Sequence, residues 1–385
     1  MKLKKSVTVK ATGYDIAGLV TSLNNKYGEG SAYVASDMDQ NVEFLSTGIV
    51  RLDIATGGGI PEGRQIEIYG NESAGKSTLM LSCIAQFQKK HPDGLAAVID
   101  IERSFDPKYA AYLGVDISRL ILINPDNGEQ ASDLLDEVLT QMVDILVGVD
   151  SIAAMTPTKI ISISAEQATM GNHAQLINRA VTRTNARMKR NLSDPSYPRT
   201  TVLWLNQMRE KITMFGNPET TPGGKGKNYY SSLRLKLSSS GTTANKQEQT
   251  IQVGGIKKSI LLARVVSFSV IKNKTGGTPF EDGEYLYFIK AHKGHAPWTF
   301  DNEEALYEAG LFHGVISLNG SIASYGKIRA GKPHLFYDAL RANPSIYEKL
   351  YRDVMKAVKH FNSSTTDDSE VEPEPSEADE VVEVN

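Results

Sequence analysis

Arg64-Gln-Ile-Glu-Ile-Tyr-Gly70-Asn-Glu-Ser-Ala-Gly75-Lys76-Ser77-Thr78 is the stretch on which the fold turns. Residues 64–70 read as a strand, and Leu79, Cys83 and Phe87 recur at helical spacing just beyond it. Between the two lies a full match to G-x-x-x-x-G-K-[ST], in the strand-then-helix context that this loop requires. Glycines at both ends let the backbone curl so that successive N–H groups and the helix N-terminus point at a phosphate. Gly70, Glu72, Ser73, Ala74, Gly75, Lys76, Ser77 and Thr78 are therefore the expected cradle of a nucleoside triphosphate. Lys76 would neutralise the β/γ oxygens and Ser77 would ligate Mg²⁺. The nearby glycine-rich residues 57–63 lack a strand before and a helix after, so they read as a turn rather than a dinucleotide loop.

Working outward, RQIEIYG, LAAVIDIE, DILVGVD and TVLWLNQ are strand-like apolar runs separated by helical patterns. Such alternation predicts an α/β fold with a mostly parallel, buried central sheet. Phosphoryl transfer to water also needs a carboxylate for the metal shell, a base for the water and a sensor of the γ-phosphate. Three of the runs end in candidates, where α/β sheets bind ligands. Asp150 ends DILVGVD as the metal carboxylate, Glu102 ends LAAVIDIE as the group that polarises water, and Gln207 ends TVLWLNQ as an amide for the γ-phosphate. Taken singly, each such residue is more often structural; together, after a phosphate loop, they point to one site.

Gln207 leads into residues 208–227, MREKITMFGNPETTPGGKGK, which lack apolar periodicity. Arg209, Lys211, Lys225 and Lys227 are interleaved there with Met214 and Phe215, so cations could meet phosphates while apolar groups stack or wedge against bases. Residues 162–172, with Met170 at the tip, form a second candidate loop. A mobile lid over a small substrate is the rival reading. His292 and His295 have no partner that would make a zinc site and read as ordinary surface residues.

The chain has 385 residues, 40% hydrophobic and 23% charged, which fits a globular protein of two or three domains at about 150 residues each. No apolar run approaches the roughly 18 residues of a membrane span, and the basic N-terminus MKLKKSVTVK is not followed by a signal-like apolar segment. A cytoplasmic location is expected. The single cysteine, Cys83, cannot form an intramolecular disulfide and is expected to be a buried helix residue. Net charge is −3, yet residues 363–385 hold nine acids and no Lys or Arg, so the other 362 residues carry +6. That pattern fits a polyanion-binding body with a tethered competitor, or simply a solubilising disordered tail.

Residues 1–40 hold an amphipathic helix near 15–27 and the segment KYGEGS, too little to fold alone. Residues 41–290 form the expected core, with 238–258 a polar hairpin or loop. Residues 291–362 form a small helical C-terminal domain, and 363–385 the tail. In NPSIYEKLYRDVMKAVKHF, Asn343 is the expected N-cap, Pro344 the first helical residue, and Tyr347, Leu350, Val354, Val358 and Phe361 one apolar stripe. Lys349, Arg352, Lys356 and Lys359 lie opposite, as a solvated or a DNA-facing surface.

With these residues in view, the chain resembles the RecA family of DNA recombinases, including its UvsX-like phage branch. The likeness spans about residues 23–356 and rests on LSTGIVRLDIATGGGIPEGRQIEIYGNESAGKS, VIDIERSFDPKYAAYLGVDI, NPDNGEQA, VGVDSIAAMTP, LNQMREKI, MFGNPETTPGG and the KNK at 272–274. The resemblance implies a RecA-type phosphate-loop core with a short N-terminal helical segment and a small C-terminal domain. Glu102 would activate the attacking water and Gln207 would couple the γ-phosphate to the DNA loop. Asp106 and Tyr109 would contact adenine, and Lys272 and Lys274 would reach the ATP of a neighbouring protomer. Met170, Gly171 and Asn172 match one DNA loop, and Arg209, Lys211, Ile212, Phe215, Gly223, Gly224 and Lys225 fall in the other. The implied cofactors are ATP and Mg²⁺. The implied partners are single-stranded DNA, double-stranded DNA and further copies in a helical filament, with single-strand-binding or mediator proteins as further candidates.

The chain departs from the family pattern in several places: a loop one residue shorter after Gln207, Lys225 after the paired glycines, and an insertion near 179–190. Residues 238–263 are longer and 291–300 diverge. The implied function is DNA-stimulated ATP hydrolysis with homologous pairing and strand exchange. The alternatives are a non-exchanging paralogue that modulates another filament and a hexameric helicase on the same core. Deleting residues 363–385 is expected to strengthen duplex-DNA binding, most at low salt. An affinity unchanged by the deletion in a salt titration would reduce the tail to a solubiliser.

Overall fold

Apolar side chains alternate between the two faces of the central strands, and each face is covered by helices. The computed structural model describes residues 15–28, 30–37, 42–158, 170–188, 197–210, 219–224, 226–239, 246–253, 256–275, 277, 280–363 and 382–383. The chain divides into two compact units, Met1–Asn41 with Lys189–Pro198, and Val42–Met188 with Arg199–Asn385.

In the first unit, helix α1 (Ile16–Tyr27) starts on the Asp15 carboxylate, which accepts the Gly18 amide at 2.9 Å. None of its residues is buried, and Ile16 and Leu19 are exposed. The second unit opens with β1 (Phe44–Leu45), α2 (Val50–Thr56) and β2 (Ile60–Pro61), with the glycine-rich turn between α2 and β2. There follow β3 (Gln65–Gly70), α3 (Lys76–Lys90), β4 (Leu95–Asp100), α4 (Pro107–Tyr112), β5 (Leu120–Ile123), α5 (Gly128–Val138) and β6 (Ile145–Asp150). Next come α6 (Met170–Arg187), β7 (Thr200–Gln207), β8 (Arg209–Glu210), β9 (Glu219–Thr220), α7 (Gly226–Tyr230) and β10 (Ser231–Ser238). A hairpin of β11 (Lys246–Val253) and the long β12 (Ile256–Asn273) leads to β13 (Asp282–Phe288) and β14 (Thr299–Phe300).

The main sheet runs β14-β13-β12-β10-β3-β7-β6-β4-β5, with β11 pairing β12. From β10 to β5 neighbouring strands are parallel, and β11 to β14 are antiparallel. The two-residue period of a strand explains the two cores. Ile66, Ile68, Val98, Leu203 and Leu205 join one with Leu79, Cys83 and Phe87 of α3, whereas Ala97, Ile99, Val147, Val202 and Trp204 join the other with α5 and α6. Cys83 is buried in its helix as expected.

The C-terminal region builds a third core from α8 (Asn302–Phe312), β15 (Ser317–Asn319), β16 (Ile322–Tyr325), β17 (Ile328–Ala330), α9 (Pro333–Ala342) and α10 (Pro344–Ser363). The meander of β15 to β17 corrects the all-helical expectation. Its strands are three or four residues long, and only Ala323, Ile328 and Ala330 among them are buried, too short a run for alternation to be recognised in the sequence. Of the acidic tail only Ser363, the end of α10, and Val382–Glu383 fall within the described residues, and the latter pair lies apart. That pair forms a two-residue strand beside Ile328 and Arg329, where a disordered segment was expected.

In α10, Leu350, Val354 and Val358 are buried as expected, but Phe361 is 60% exposed. The Asn343 side chain donates to the Ala339 carbonyl of the preceding helix at 2.8 Å, while its backbone carbonyl receives the Ile346 and Tyr347 amides. Its side chain therefore closes α9 rather than opening α10. Tyr351 of α10 donates to Asp53 of α2 at 2.8 Å; that buried carboxylate also accepts Ser46 and Thr47, while burial drives its pKa up.

His295 is also a correction. It is buried, stacked 4.0 Å from Phe288, and its Nε2 meets Arg341 at 2.9 Å. Burial and the Arg341 charge push its pKa down to about 4, so the ring is neutral at pH 7 and accepts from the arginine.

At the end of α3, His91 is gripped on both nitrogens, Nε2 by Glu62 at 2.6 Å and Nδ1 by Asp144 at 3.0 Å. Burial lowers its pKa, but the Glu62 and Asp144 carboxylates outweigh burial and raise it above 6.5. The stabilisation is therefore complete below the unfolded value and disappears as pH rises through the higher folded one. Denaturant unfolding should show His91→Gln clearly less stable than the native chain below pH 6.5, with the gap closing in alkali. A gap independent of pH would mean the ring is held as a neutral group.

Candidate functional site

The end of β3 sits between β10 and β7, so the loop that follows opens at the carboxyl edge of the parallel strands. Gly75 adopts φ +93°, a left-handed value that an unbranched backbone tolerates, and α3 begins at the next residue. Lys76 folds back so that its Nζ donates to the Gly70 carbonyl at 3.1 Å and the Asn71 carbonyl at 2.7 Å. Ala74 is buried under the loop, while Glu72 and Ser73 are exposed. Ser77 Oγ donates to Asp150 Oδ2 at 2.6 Å. Burial pushes the Asp150 carboxyl up to about 6, with the Glu102 and Asp100 charges adding to it and the Ser77 hydrogen bond opposing. A bound cation would reverse that shift. A hydroxyl and a carboxylate side by side are the hard oxygen donors that Mg²⁺ takes alongside phosphate oxygens and waters. Among the described residues no group of three or more His, Cys, Asp or Glu could hold a metal unaided.

Glu102 lies just past the end of β4, exposed, with Ser151 Oγ and Gln207 Nε2 both donating to its Oε1, the latter at 3.3 Å. The three residues lie at or just past the ends of β4, β6 and β7, which are neighbours in the sheet. Buried Asp100 shapes the turn by accepting the Ser104 and Phe105 amides at 3.1 and 2.8 Å. Sequence reading overlooked Ser151 and Asp100, although each adjoins or ends a strand already singled out.

A cavity of about 340 Å³ extends from Gly75, Lys76 and Ser77 to an aromatic end that includes Tyr109, Tyr287 and Trp298. Thr78 Oγ1 and Tyr109 OH are 2.6 Å apart, and Tyr109 OH is 3.0 Å from Tyr287 OH. Asp106 N-caps α4 by accepting the Lys108 and Tyr109 amides, which aligns Tyr109 with the cavity. Lys272 and Lys274 do not join this group within the chain. Lys272 stands level with Arg234 and Glu67, three residues short of Gly70 along the strands. Its Nζ donates to the Asn228 and Tyr229 carbonyls, while the Lys274 amide donates to the Ser232 carbonyl.

Of the two segments proposed to meet DNA, the described parts adjoin at α6. Met170, Gly171 and Asn172, expected at a loop tip, instead form the first turn of α6. Burial and the charge of exposed Arg209 both lower the pKa of His173, in the first turn of α6. The β8–β9 pair closes the stem. Gly223 has φ +97°, and a Cβ there would stand 2.6 Å from Ile177 Cγ2, so the stem lies directly on α6; Gly224 follows it and is exposed. Lys211, Ile212, Phe215 and Lys225 lie outside the described residues. In α6, Arg183 is paired with Asp133 and Asp136, and Arg187 with Asp136 of α5.

The RecA N-terminal domain family matches residues 15–285. Protein RecA of Mycoplasma mobile is 34% identical over 355 residues, covering 90% of this chain and 98% of the relative. Protein RecA of Methylococcus capsulatus is 34% identical over 351 residues, 89% and 90% of the two chains, and that of Francisella tularensis subsp. tularensis 35% over 358, 90% and 91%. The chain belongs to the RecA family. Its α/β fold is RecA-type, and membership places it among proteins of DNA recombination and repair that bind DNA and ATP. Among the described residues no helix is long and apolar enough to cross a membrane.

One residue of this RecA-family chain is not where its composition suggested. Lys227, read as a loop cation, is 2% exposed, with its Nζ 3.2 Å from Glu67 Oε1 and 2.6 Å from Thr221 Oγ1. Glu67, 1% exposed, also takes Arg234 at 2.7 Å and Asn206 Nδ2 at 2.8 Å. The same Asn206 amide donates to the Pro222 carbonyl at 3.2 Å, so the cluster bolts the far stem of the loop to β3 and β7. Glu67→Ala should cost about 3–5 kcal/mol in urea unfolding, because Lys227 is left buried and unpaired. Glu67→Leu combined with Lys227→Met should recover much of that; additive losses would mean the two charges are not coupled.

Proposed function

We propose that the protein assembles on single-stranded DNA as an ATP-bound helical filament, pairs that strand with a homologous duplex and exchanges strands, using DNA-stimulated ATP hydrolysis to recycle itself in the cytoplasm. The observation that carries this reading is a shared junction. Gln207 contacts Glu102 through its side chain, and the next residue, Met208, donates its amide at 3.1 Å to the Gly70 carbonyl that also receives Lys76. A change in what Lys76 and Gln207 touch is thus transmitted directly to the first residue of the loop.

Hydrolysis follows from the groups present. Glu102 takes a proton from the attacking water, Gln207 orients against the γ-phosphate, and the Lys76 ammonium offsets charge on the phosphate oxygens as it shifts outward. Mg²⁺ held by Ser77 and Asp150 would supply further charge neutralisation at the β- and γ-oxygens.

Support for assembly comes from surfaces and charges. Burial and the neighbouring Lys274 and Arg234 charges push Lys272 down to about 8, a crowding of cations that a neighbour's triphosphate would relieve. The edge strand β5 exposes Ile121 and Leu122, and α1 exposes Ile16 and Leu19, apolar surfaces suited to contact between copies. Because base pairing itself reads homology, the loops need backbone contacts rather than base-edge recognition. Single-strand-binding and mediator proteins would act on assembly.

Glu102→Gln should retain ATP binding, lose turnover by about 10²–10⁴-fold, and hold filaments on DNA. The check is ATP hydrolysis with and without single-stranded DNA, alongside electron microscopy. Undiminished hydrolysis would remove Glu102 from its role, and hydrolysis by isolated particles indifferent to DNA would overturn the filament reading.

A further inference from the structure

The chain has two tryptophans in opposite settings. Trp204 is 1% exposed in the core and donates its indole N–H to Gln65 at 2.9 Å. Trp298 is half-buried at the aromatic end of the nucleotide cavity, on the strap of residues 291–300. We propose that Trp298, together with Tyr109, forms the contact surface for a purine base, a base-selecting role that rests on the cavity being the ATP site.

The cavity is polar at Gly75, Lys76 and Ser77 and aromatic at its other end. Tyr285 and Tyr287 are 2% and 8% exposed, so the ring surface open to a ligand belongs mainly to Tyr109 and Trp298. The indole is held firmly. Tyr112 stacks on it at 5.6 Å and 9°, Tyr109 meets it edge-to-face at 5.7 Å and 88°, and its amide donates to the Phe288 carbonyl at 2.6 Å. Its φ of +65° is uncommon for a bulky residue, so the strap maintains the ring in place against backbone strain. Among the described residues the indole N–H has no acceptor, which leaves a donor at the rim for a ring nitrogen or ribose oxygen. Arg264 completes this side of the cavity; its Nη2 donates to the Ser73 carbonyl at 3.4 Å and to Ser239 Oγ at 3.2 Å, and it has no carboxylate partner among the described residues. A triphosphate on the loop places its base at the aromatic end, where stacking favours a bicyclic purine over a pyrimidine.

The test uses the full chain, a non-hydrolysable ATP analogue and inorganic tripolyphosphate, each with magnesium. The analogue should change native tryptophan emission, tripolyphosphate should not, and Trp298→Phe should abolish the change, since only Trp204 then reports. Trp298→Ala should weaken the analogue on the order of tenfold, leave tripolyphosphate affinity unaltered, and narrow the preference for purine over pyrimidine triphosphates; Trp298→Phe should restore most of the affinity. Native analogue affinity in Trp298→Ala, or an emission change that survives in Trp298→Phe, would overturn the assignment while leaving the ATP site standing. Parallel loss of analogue and tripolyphosphate in Trp298→Ala would also overturn it, as collapse of the strap. A native chain that binds neither ligand would instead bring down the ATP-site reading itself.

Discussion

Parallel pairing in register is the constraint from which the site follows. Gly70 lies opposite Gln207, Asp100 opposite Asp150 and Val149 opposite Trp204, so four strands of different sequence end within two residues of one another. A one-residue slip in any of them would exchange its apolar faces and carry its terminal polar group to the wrong side. The two apolar cores that forbid this slip are thus also what align the glycine-bounded loop, Asp150 and Gln207.

The face of β3 that meets α6 and α7 carries a buried polar cluster. Gln65 and Glu67 point into it, and both are satisfied, Gln65 by Trp204 and Val181, Glu67 by Asn206, Lys227 and Arg234. Buried polar networks that are fully paired specify one arrangement rather than add stability. Here the arrangement specified is that of the loop stem, through Pro222 and Thr221.

Much of this was legible because the signals were local. The apolar runs DILVGVD and LAAVIDIE, ending in Asp150 and Glu102, and a glycine-bounded loop before Lys76, need no distant partner to be read. The failures share the opposite property. Lys227 sits in Gly-Lys-Gly-Lys and looks solvated until Glu67, far earlier in the chain, is brought against it. His295 looks exposed until Arg341 and Phe288 enclose it. The β15–β17 meander is too short to show a period, and Asn343 could cap in either direction until the helix before it was placed.

The contact from Tyr351 to Asp53 has a practical side. Ser46, Thr47 and Tyr351 together satisfy a carboxylate at the heart of α2, and Tyr351 comes from the last helix. A shortened polypeptide ending before that helix would strip Asp53 of one donor and take Leu350, Val354 and Val358 out of the core that Val50 shares, so the part of the chain before it is unsuited to preparation as an excised fragment.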